Sequence, residues 1–335
     1  MSWHWTTLEV VLQPVKDSIP ILDNVFYKQA AIRPYQQGVV LKSLKNGFEF
    51  RQRRQKLVRA GQFVVSRRYV PGSIVGIVPT LLDGSVMPYK YITFNLHADL
   101  HVDYLAAYLS TPMFKQMSLG WYDKSGRLQR DQLEATPIPL PPLEDQRQIA
   151  ELWQVANTAQ AHTLDMLKSI EEVKAGVASE LLRFNPSWER KQLGGCADIG
   201  VDLKGEHMLS VESPDKITLG AMGSDRGSIG ILPNLDLDPQ FLYYYLESQK
   251  DNLRAVIRGN TLTLLSALQT FSLPLPTLYQ QRKIAAVLHQ HDEVLLLLRQ
   301  EQIALRKFTQ GIMQVIFSES TDWQEVMPIL RNLRS

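Results

Sequence analysis

The segment between Lys42 and Arg68 carries side chains that can grip phosphate groups and read base edges. Its nine basic residues are Lys42, Lys45, Arg51, Arg53, Arg54, Lys56, Arg59, Arg67 and Arg68. Its one acid is Glu49, and aromatic residues such as Phe48, Phe63 and Tyr69 are interleaved. Arginine can bind a phosphate, or the O6 and N7 atoms of guanine, through two hydrogen bonds. This one-signed charge favours a nucleic-acid surface, and the alternative is a solvated charged face.

A second basic group lies on the glycine-containing loop WYDKSGRLQR, residues 121–130, before a predicted helix. The corresponding loop of the second half of the chain is Arg258-Gly-Asn-Thr, and basic residues are otherwise sparse there. Beyond the nine residues above, we expect DNA contacts from Tyr69, Lys124, Arg127, Arg130, Arg226 and Arg258.

Sequence patterns for catalysis are missing from the chain. It contains no GxxxxGK[ST] phosphate loop, GxGxxG, HExxH or GxSxG. Asn185-Pro-Ser-Trp188 is its nearest approach to the Asn/Asp-Pro-Pro-aromatic motif of adenine methyltransferases, and we interpret that proline as a helix stop. His97 and His101 are four residues apart, but on a strand and loop rather than on one helical face. We therefore predict a chain without a catalytic or metal site.

Composition limits the class of protein further. The 335 residues include 36 basic and 34 acidic ones, for a formal charge of +2. The one cysteine, Cys196, rules out an intrachain disulfide and a multi-cysteine zinc site, and we interpret it as a structural thiol. Because no apolar run is long enough to span a membrane and the N-terminus lacks a signal-peptide pattern, we expect a cytoplasmic protein of about two domains.

An internal repeat organises the chain. Residues 138–150 read IPLPPLEDQRQIA, and residues 273–285 read LPLPTLYQQRKIA, at an offset of 135. The offset continues to Trp188 and Trp323. Looser repeats precede each copy: GSIVGIVP (72–79) resembles GSIGILP (227–233), and YLAAYLS (104–110) resembles FLYYYLES (241–248). The same order of segments therefore occurs twice.

Each proline-led copy predicts a long helix. Mostly apolar or small residues recur at alternating intervals of three and four at positions 149, 152, 156, 159, 163, 166, 170, 173 and 177. The matching positions of the second copy are 284, 287, 291, 294, 298, 301, 305, 308 and 312. This heptad spacing favours an antiparallel pair, or coiled coil, of helices about 35–40 residues and roughly 55 Å long. The regions before each helix are expected to be α+β.

The second half of the repeat is shortened. The stretch from Trp5 to Trp188 is much longer than the matching stretch from Trp188 to Trp323. Alignment of the glycine-rich motifs predicts one deletion before the Gly-Ser-Ile turn and another between Pro233 and Phe241. The first deletion would remove the counterpart of the basic segment. We therefore expect the second half to contact DNA less than the first.

PIPLPPLEDQRQIAELW and its copy LPLPTLYQQRKIAAVL resemble the conserved regions of the specificity subunit of type I restriction–modification systems. GQFVVSRRYVPGSIVGIVP and ITLGAMGSDRGSIGILP resemble that family's target-recognition domains. The resemblance implies an α+β fold with two target-recognition domains, 1–137 and 188–272. Two long antiparallel helices would separate them in a pseudo-twofold internal repeat. The first lies in 138–187, and the second, with a C-terminal tail, lies in 273–335.

The resemblance also implies the partners. These are double-stranded DNA with a bipartite site, two methyltransferase subunits that bind S-adenosylmethionine, and restriction subunits. The chain itself would need no cofactor and perform no chemistry. The helix motif residues expected to meet a partner are Gln146, Arg147, Ile149, Gln281, Arg282 and Ile284. The alternative is a specificity-like scaffold of a defence system that reads no defined DNA sequence.

Overall fold

The computed structural model describes residues 3–33, 38–72, 74–183, 185–201, 203–223, 228–256 and 261–318. Arg226, Arg258 and Trp323 lie outside these ranges. The chain forms two compact units. Unit 1 comprises residues 1–161 and 303–335, and unit 2 comprises residues 162–302. None of the helices in the described ranges is both long and apolar enough to cross a membrane.

The part of unit 1 that precedes the first long helix is rich in strands. Its elements are β1 (His4–Thr7), α1 (Leu8–Val11), β2 (Leu12–Val15), β3 (Ser18–Pro20), β4 (Phe26–Ile32), β5 (Val39–Asn46), β6 (Arg54–Leu57), β7 (Phe63–Ser66), β8 (Val75–Ile77), β9 (Val86–Met87), β10 (Tyr91–Leu96), α2 (Val102–Leu109), α3 (Pro112–Leu119), α4 (Arg130–Glu134) and β11 (Pro137–Leu140). The first long helix, α5 (Leu143–Leu181), begins in this unit.

Two sheets build unit 1, together with the pair β1–β11. One sheet has four strands in the order β2-β10-β7-β8, and the other has five in the order β3-β6-β9-β4-β5. Strand β7 is buried on both faces, which explains its run of three apolar residues, Phe63 to Val65. Phe63 and Val65 belong to the core formed with the helices, whereas Val64 belongs to a core that includes Val39 and Met87 of the five-stranded sheet.

Unit 2 has fewer strands than unit 1 among its described residues. Its elements before the second long helix are β12 (Glu189–Gln192), β13 (Ala197–Gly200), β14 (Lys204–Ser213), β15 (Lys216–Gly223), β16 (Ile229–Pro233), α6 (Pro239–Ser248), α7 (Lys250–Val256), α8 (Thr261–Thr270) and β17 (Ser272–Leu275). The second long helix is α9 (Leu278–Ile316). β12 pairs with β17, and the sheet order is β13-β16-β14-β15. By chain order these strands are first, fourth, second and third, as in the four-stranded sheet of unit 1.

Strand pairing locates the shortening of the second half. Leu96 pairs with Leu12 in unit 1, and Pro233 pairs with Ala197 at the equivalent place in unit 2. The chain between the paired strands is far shorter in unit 2, and the difference accounts for the whole shortening of the repeat. In unit 1 that stretch contains all five strands of the five-stranded sheet, which has no counterpart among the described residues of unit 2.

The predicted second deletion, between Pro233 and Phe241, is wrong. The GSIVGIVP segment contains β8, whereas GSIGILP contains β16, the counterpart of β10. Leu96 precedes His101, the N-cap of α2, by the same interval as Pro233 precedes Asp238, the N-cap of α6. The two glycine-rich motifs are therefore alike in sequence but occupy different strands.

The helices α5 and α9 run antiparallel within each unit. In unit 2, Leu167 of α5 packs with Leu295 and Leu298 of α9, and Glu171 bonds Arg299. In unit 1, Gln160 donates to Thr309 at 3.0 Å. The α+β class is confirmed by this mixture of sheets and helices.

The predicted apolar seam of the long helices is wrong at every second position. The expected seam residues Met166, Val173, Val287, Val294 and Phe308 are all exposed. Their neighbours Leu167, Leu288, Leu295 and Thr309 are buried instead. Because apolar residues occur at both sets of positions, each helix has a buried stripe and a second, exposed one.

Candidate nucleic-acid interface

The fold brings together the two loops that the sequence singled out in unit 1. The Tyr69 N–H donates to the Gly126 carbonyl at 2.9 Å, and the Leu128 N–H donates to the Arg67 carbonyl at 3.1 Å. The Tyr122 hydroxyl donates to the Ser66 carbonyl at 2.9 Å. We call this structure, residues 66–69 and 122–128, the loop junction. It places residues that are far apart in sequence on one surface.

The carboxylate of Asp123 holds the second loop in shape. Its Oδ1 accepts hydrogen bonds from the Ser125 N–H, the Ser125 hydroxyl and the Arg127 N–H at 2.8, 2.7 and 2.9 Å. Its Oδ2 accepts a bond from the Gln129 amide at 3.0 Å. The bond from the Arg127 backbone is the main cause that lowers the pKa of Asp123. Gly126 has φ +72°, a conformation that favours glycine.

Four side chains stand on this frame. Arg68 donates to the Ser125 carbonyl at 3.2 Å, which leaves other guanidinium donors available. The ring of Tyr69 meets Tyr122 edge to face at 5.5 Å and remains 41% exposed. Lys124 and Arg127 are exposed, and neither forms an ion pair with any residue in the described ranges. The loop junction thus presents three cations and one aromatic ring that a DNA duplex could contact.

A second group of basic residues converges where the two sheets of unit 1 adjoin. Arg54 and Lys56 are two residues apart on β6 and therefore share a face. Arg67 follows β7, and its Nε donates to the Tyr89 carbonyl at 3.1 Å. Arg54 donates to the Ser18 hydroxyl at 3.1 Å. We call Ser18, Arg54, Lys56, Arg67 and Tyr89 the cation cluster.

Sequence reasoning missed Ser18, Tyr89 and Lys90. Tyr89 and Lys90 lie in the turn between β9 and β10, and the Arg67 N–H donates to the Lys90 carbonyl at 2.8 Å. The sequence Met-Pro-Tyr-Lys-Tyr at 87–91 resembles a polar turn, but its proximity to Arg67 depends on strand pairing. Ser18 carries no signal in the sequence.

Three of the predicted DNA-binding arginines form local ion pairs instead. Arg53 bonds Asp23 at 2.5 Å, Arg59 lies 3.7 Å from Asp83, and Arg130 bonds Glu134 at 2.5 Å. Lys45 lies over the Phe50 ring at 5.8 Å. Lys42 and Arg51 are exposed and form no ion pair within the described part of the chain. The structure thus separates the basic residues of unit 1 into paired and unpaired sets.

The basic residues of the unit 2 sheet and helices are mostly paired with acids. Lys191 bonds Glu189 at 3.2 Å, and Lys250 bonds Glu247 at 2.7 Å. Two further cations of unit 2 are paired, Lys216 with Glu212 and Arg254 with both Asp215 and Asp251. Arg226 and Arg258, which we predicted to contact DNA, lie outside the described residues.

The Gln-Arg motif fastens the start of each long helix. Gln146 is buried, donates to the carbonyls of Asp99 and Pro141 at 2.7 and 2.8 Å, and accepts the His101 N–H at 2.8 Å. Gln281 forms the same set in unit 2. It donates to Asp236 and Pro276 at 3.0 and 2.9 Å, and it accepts the Asp238 N–H at 2.7 Å. Each glutamine therefore links its helix to the loop before α2 or α6.

This geometry divides the residues predicted to bind a partner. Ile149 and Ile284 are buried in the apolar core of their own unit. The two glutamines are also buried, where they form the hydrogen bonds described above. Only Arg147 and Arg282 are exposed, and each lies near an acid, Glu144 at 3.4 Å and Asp238 at 3.9 Å. The expectation of partner contact therefore remains with the two arginines.

The histidines and the cysteine have structural surroundings. The His101 ring accepts the Asp103 N–H at 3.3 Å and caps α2, and the His97 ring lies 3.3 Å from the Asp99 carboxylate. Burial raises the pKa of the Cys196 thiol. Within the described ranges there is no cluster of three or more His, Cys, Asp or Glu residues arranged to hold a metal ion.

Comparison with known proteins extends these observations. Residues 226–307 match the family model described as Type I restriction modification DNA specificity domain. The match covers β16, α6 to α8, β17 and most of α9, which is the scaffold of unit 2 rather than its β14–β15 hairpin.

Two solved structures share the fold over nearly the whole chain. The type I restriction-modification system S subunit from M. genitalium is 13% identical with a TM-score of 0.62, and the match covers 96% of this chain and 97% of that one. A structure titled for complex assembly and conformational transition of the type I R-M system is 17% identical with a TM-score of 0.61, covering 95% and 98%. The resemblance to the type I specificity subunits is confirmed: residues 226–307 match the model of their DNA specificity domain, and the chain has their fold.

Proposed function

We propose that this chain is the DNA-recognition subunit of a type I restriction–modification complex. It binds double-stranded DNA at a bipartite site and docks two methyltransferase subunits, which restriction subunits join. The chain performs no chemistry itself, and S-adenosylmethionine binds the methyltransferase. The observation that carries the proposal is the loop junction, where Arg68, Lys124 and Arg127 project from a fixed frame and form no ion pair in the described structure.

The unpaired state of these cations matters for DNA binding. A cation that already has a carboxylate partner must give up that interaction before it can neutralise a phosphate. A free cation releases the counterions of DNA at no such cost. The rigid frame also lowers the entropy lost on binding, because the loop is ordered before DNA arrives. The loop junction therefore combines affinity for phosphate with fixed donors for base edges.

The two halves contribute unequally in this proposal. Unit 1 has the five-stranded sheet, the cation cluster and the loop junction, and it provides most of the DNA contact. Unit 2 lacks a counterpart of that sheet among its described residues, and most of its cations are paired. It would read its half-site through fewer contacts.

The exposed stripes of the long helices support docking of methyltransferase subunits. In unit 1, Val155 is 70% exposed and Phe308 is 64% exposed. In unit 2, Val173, Val294 and Leu297 are exposed. Large apolar side chains repeated along a helix face are typical of a helix that packs against a partner. The exposed Arg147 and Arg282 lie at the starts of the same helices.

The second candidate function is a scaffold that binds methyltransferase through its helices but reads no defined sequence. The absence of the five-stranded sheet from unit 2, as far as it is described, favours this reading. Selection of duplexes from a random-sequence library by the assembled methyltransferase complex separates the two functions. Enrichment of one motif supports recognition, whereas a stable complex that enriches none supports the scaffold.

A further inference from the structure

The cation cluster brings three positive groups from separate elements to one place in unit 1. Arg54 and Lys56 come from β6, and Arg67 follows β7. Tyr89 connects these elements: its carbonyl accepts a hydrogen bond from Arg67, and its hydroxyl lies close to Ser18 and Arg54. Strand pairing sets Lys56 beside Ser18 of β3 and Met87 of β9, and the charge of Arg67 acts on Lys56.

Lys56 forms the floor of the cluster. The residue is only 6% exposed, and among the described residues its ammonium donates to one acceptor, the Val15 carbonyl, at a long 3.4 Å. An ammonium group has three donors, so a desolvated lysine normally needs more partners. Burial first, and then the charge of Arg67, lowers the pKa of Lys56.

The cluster has little compensating negative charge. Neither Arg54, Lys56 nor Arg67 forms an ion pair with a carboxylate in the described structure. The acidic groups that act on Lys56 are the Tyr89 phenol, with the larger effect, and Asp17, which is exposed. Like charges that converge around a buried ammonium oppose folding, and a bound oxyanion would remove that repulsion.

The donors around Lys56 suit a tetrahedral oxyanion. Arg67 uses its Nε on the Tyr89 carbonyl, which fixes the guanidinium and leaves its two terminal nitrogens free of other bonds within the described residues. The terminal nitrogens of Arg54 lie beside the Ser18 and Tyr89 hydroxyls. Planar guanidinium forks with a lysine charge and hydroxyl donors are a common way to hold a phosphate.

We propose that the cation cluster is a phosphate site, and that one phosphodiester of the DNA backbone occupies it. The assignment to DNA rests on the proposed function, whereas the oxyanion site stands on the cluster alone. Lys56, Arg67 and Arg54 bind the phosphate oxygens, and the site anchors unit 1 on the duplex beside the loop junction. Its contribution is positional, because phosphate contacts fix register without reading sequence.

The first arm of the test uses the full chain and inorganic phosphate. Phosphate is expected to raise the Tm of the wild-type chain more than chloride does at equal ionic strength. The variant Lys56→Met should lose this effect while its own Tm in chloride equals or exceeds that of the wild type, because an uncompensated buried charge is removed. The matched control is Lys28→Met, since Lys28 lies on β4 of the same sheet and also donates to one carbonyl, Leu81, at 3.2 Å.

The second arm uses the methyltransferase complex and DNA duplexes with one neutral methylphosphonate at each backbone position in turn. The wild-type complex should lose about tenfold in affinity at one position, and the Lys56→Met complex should be insensitive there. Its salt dependence should fall by about 0.9 in log K against log salt, the value of one phosphate contact. Arg67→Gln provides a second variant if Lys56→Met fails to fold.

Three outcomes decide the proposal. Loss of both the phosphate effect and the position-specific effect in Lys56→Met, with Lys28→Met unchanged, supports it. In a second outcome, the phosphate effect depends on Lys56, but the complex binds no DNA or binds it without a sensitive backbone position. That result retains an oxyanion site and overturns its assignment to DNA. Equal behaviour of Lys56→Met and Lys28→Met in both arms overturns the site altogether.

Discussion

Neutralising the unpaired cations of the loop junction should weaken DNA binding, and lower its salt dependence, more than neutralising cations that have acidic partners. The perturbation is the triple variant Arg68→Gln, Lys124→Gln and Arg127→Gln. None of these side chains forms an ion pair within the described structure, so each is available to a phosphate. If each neutralises one phosphate, the slope of log K against log salt falls by about 2.7 in total. Raising the salt from about 50 to 200 mM would then weaken DNA binding by the wild type roughly 40-fold more than DNA binding by the variant.

The matched control removes the same formal charge from cations that have acidic partners. The triple variant Arg53→Gln, Arg59→Gln and Arg130→Gln breaks the pairs with Asp23, Asp83 and Glu134. We expect its slope to change by less than about 1, because these cations release few counterions on binding. The assay is fluorescence anisotropy of a labelled duplex with the assembled methyltransferase complex across a salt series. Equal losses in both triple variants would mean that only net charge matters, and no loss in either would refute the interface.

Three further predictions concern single residues. Gln146→Ala removes the three hydrogen bonds of a buried side chain and should destabilise unit 1 by about 3–5 kcal/mol in denaturant unfolding of the full chain. Gln281→Ala should have the same effect on unit 2. Normal unfolding with lost methyltransferase binding would instead indicate direct partner contact. The pKa of Asp123 is lowered in the folded state, so this carboxylate stabilises the 122–128 loop above its ordinary pKa of 3.8, and the stabilisation is lost as pH falls through the lowered value. Hydrogen exchange of the Arg127 amide, measured against pH, checks this. In Asp123→Asn that amide should exchange fast at every pH. Phe308→Asp should reduce co-purification of the methyltransferase without lowering Tm, since this side chain is 64% exposed; unchanged co-purification would count against the exposed stripe as a docking surface.

Sequence periodicity predicted the two long helices but not which stripe of each is buried. Val287 and Val294 are seven residues apart, and so are their neighbours Leu288 and Leu295. A helix with two apolar stripes is ambiguous from its sequence, because the choice depends on what the fold packs against it. The structure buries the leucines and leaves the valines exposed.

Local similarity misled the alignment of the two halves. The Gly-Ser-Ile motifs match in letters, yet one contains the edge strand β8 and the other the strand β16, which pairs with two neighbours. Short strands share composition because they share turn and burial requirements, so only pairing shows which ones correspond. The motif comparison therefore could not predict the five-stranded sheet of unit 1.

The candidate interface was predicted in part. The sequence identified both basic loops of unit 1, and the fold places them in contact at Tyr69 and Gly126. It could not show that Arg53 and Arg59 are paired with Asp23 and Asp83, because these partners are distant in sequence and meet only in the folded sheet. A charge count gives the sign of a surface, whereas the distances between side chains decide which charges remain free.

The most direct test of sequence recognition by unit 1 is a map of methylated bases in cells. The chain would be co-expressed with its methyltransferase, once as the wild type and once as the triple variant of Arg68, Lys124 and Arg127. The wild type is expected to methylate a motif with at least one defined half-site, and the triple variant is expected to lose or alter that half. An identical motif at the same methylation level in both strains would contradict recognition through the loop junction.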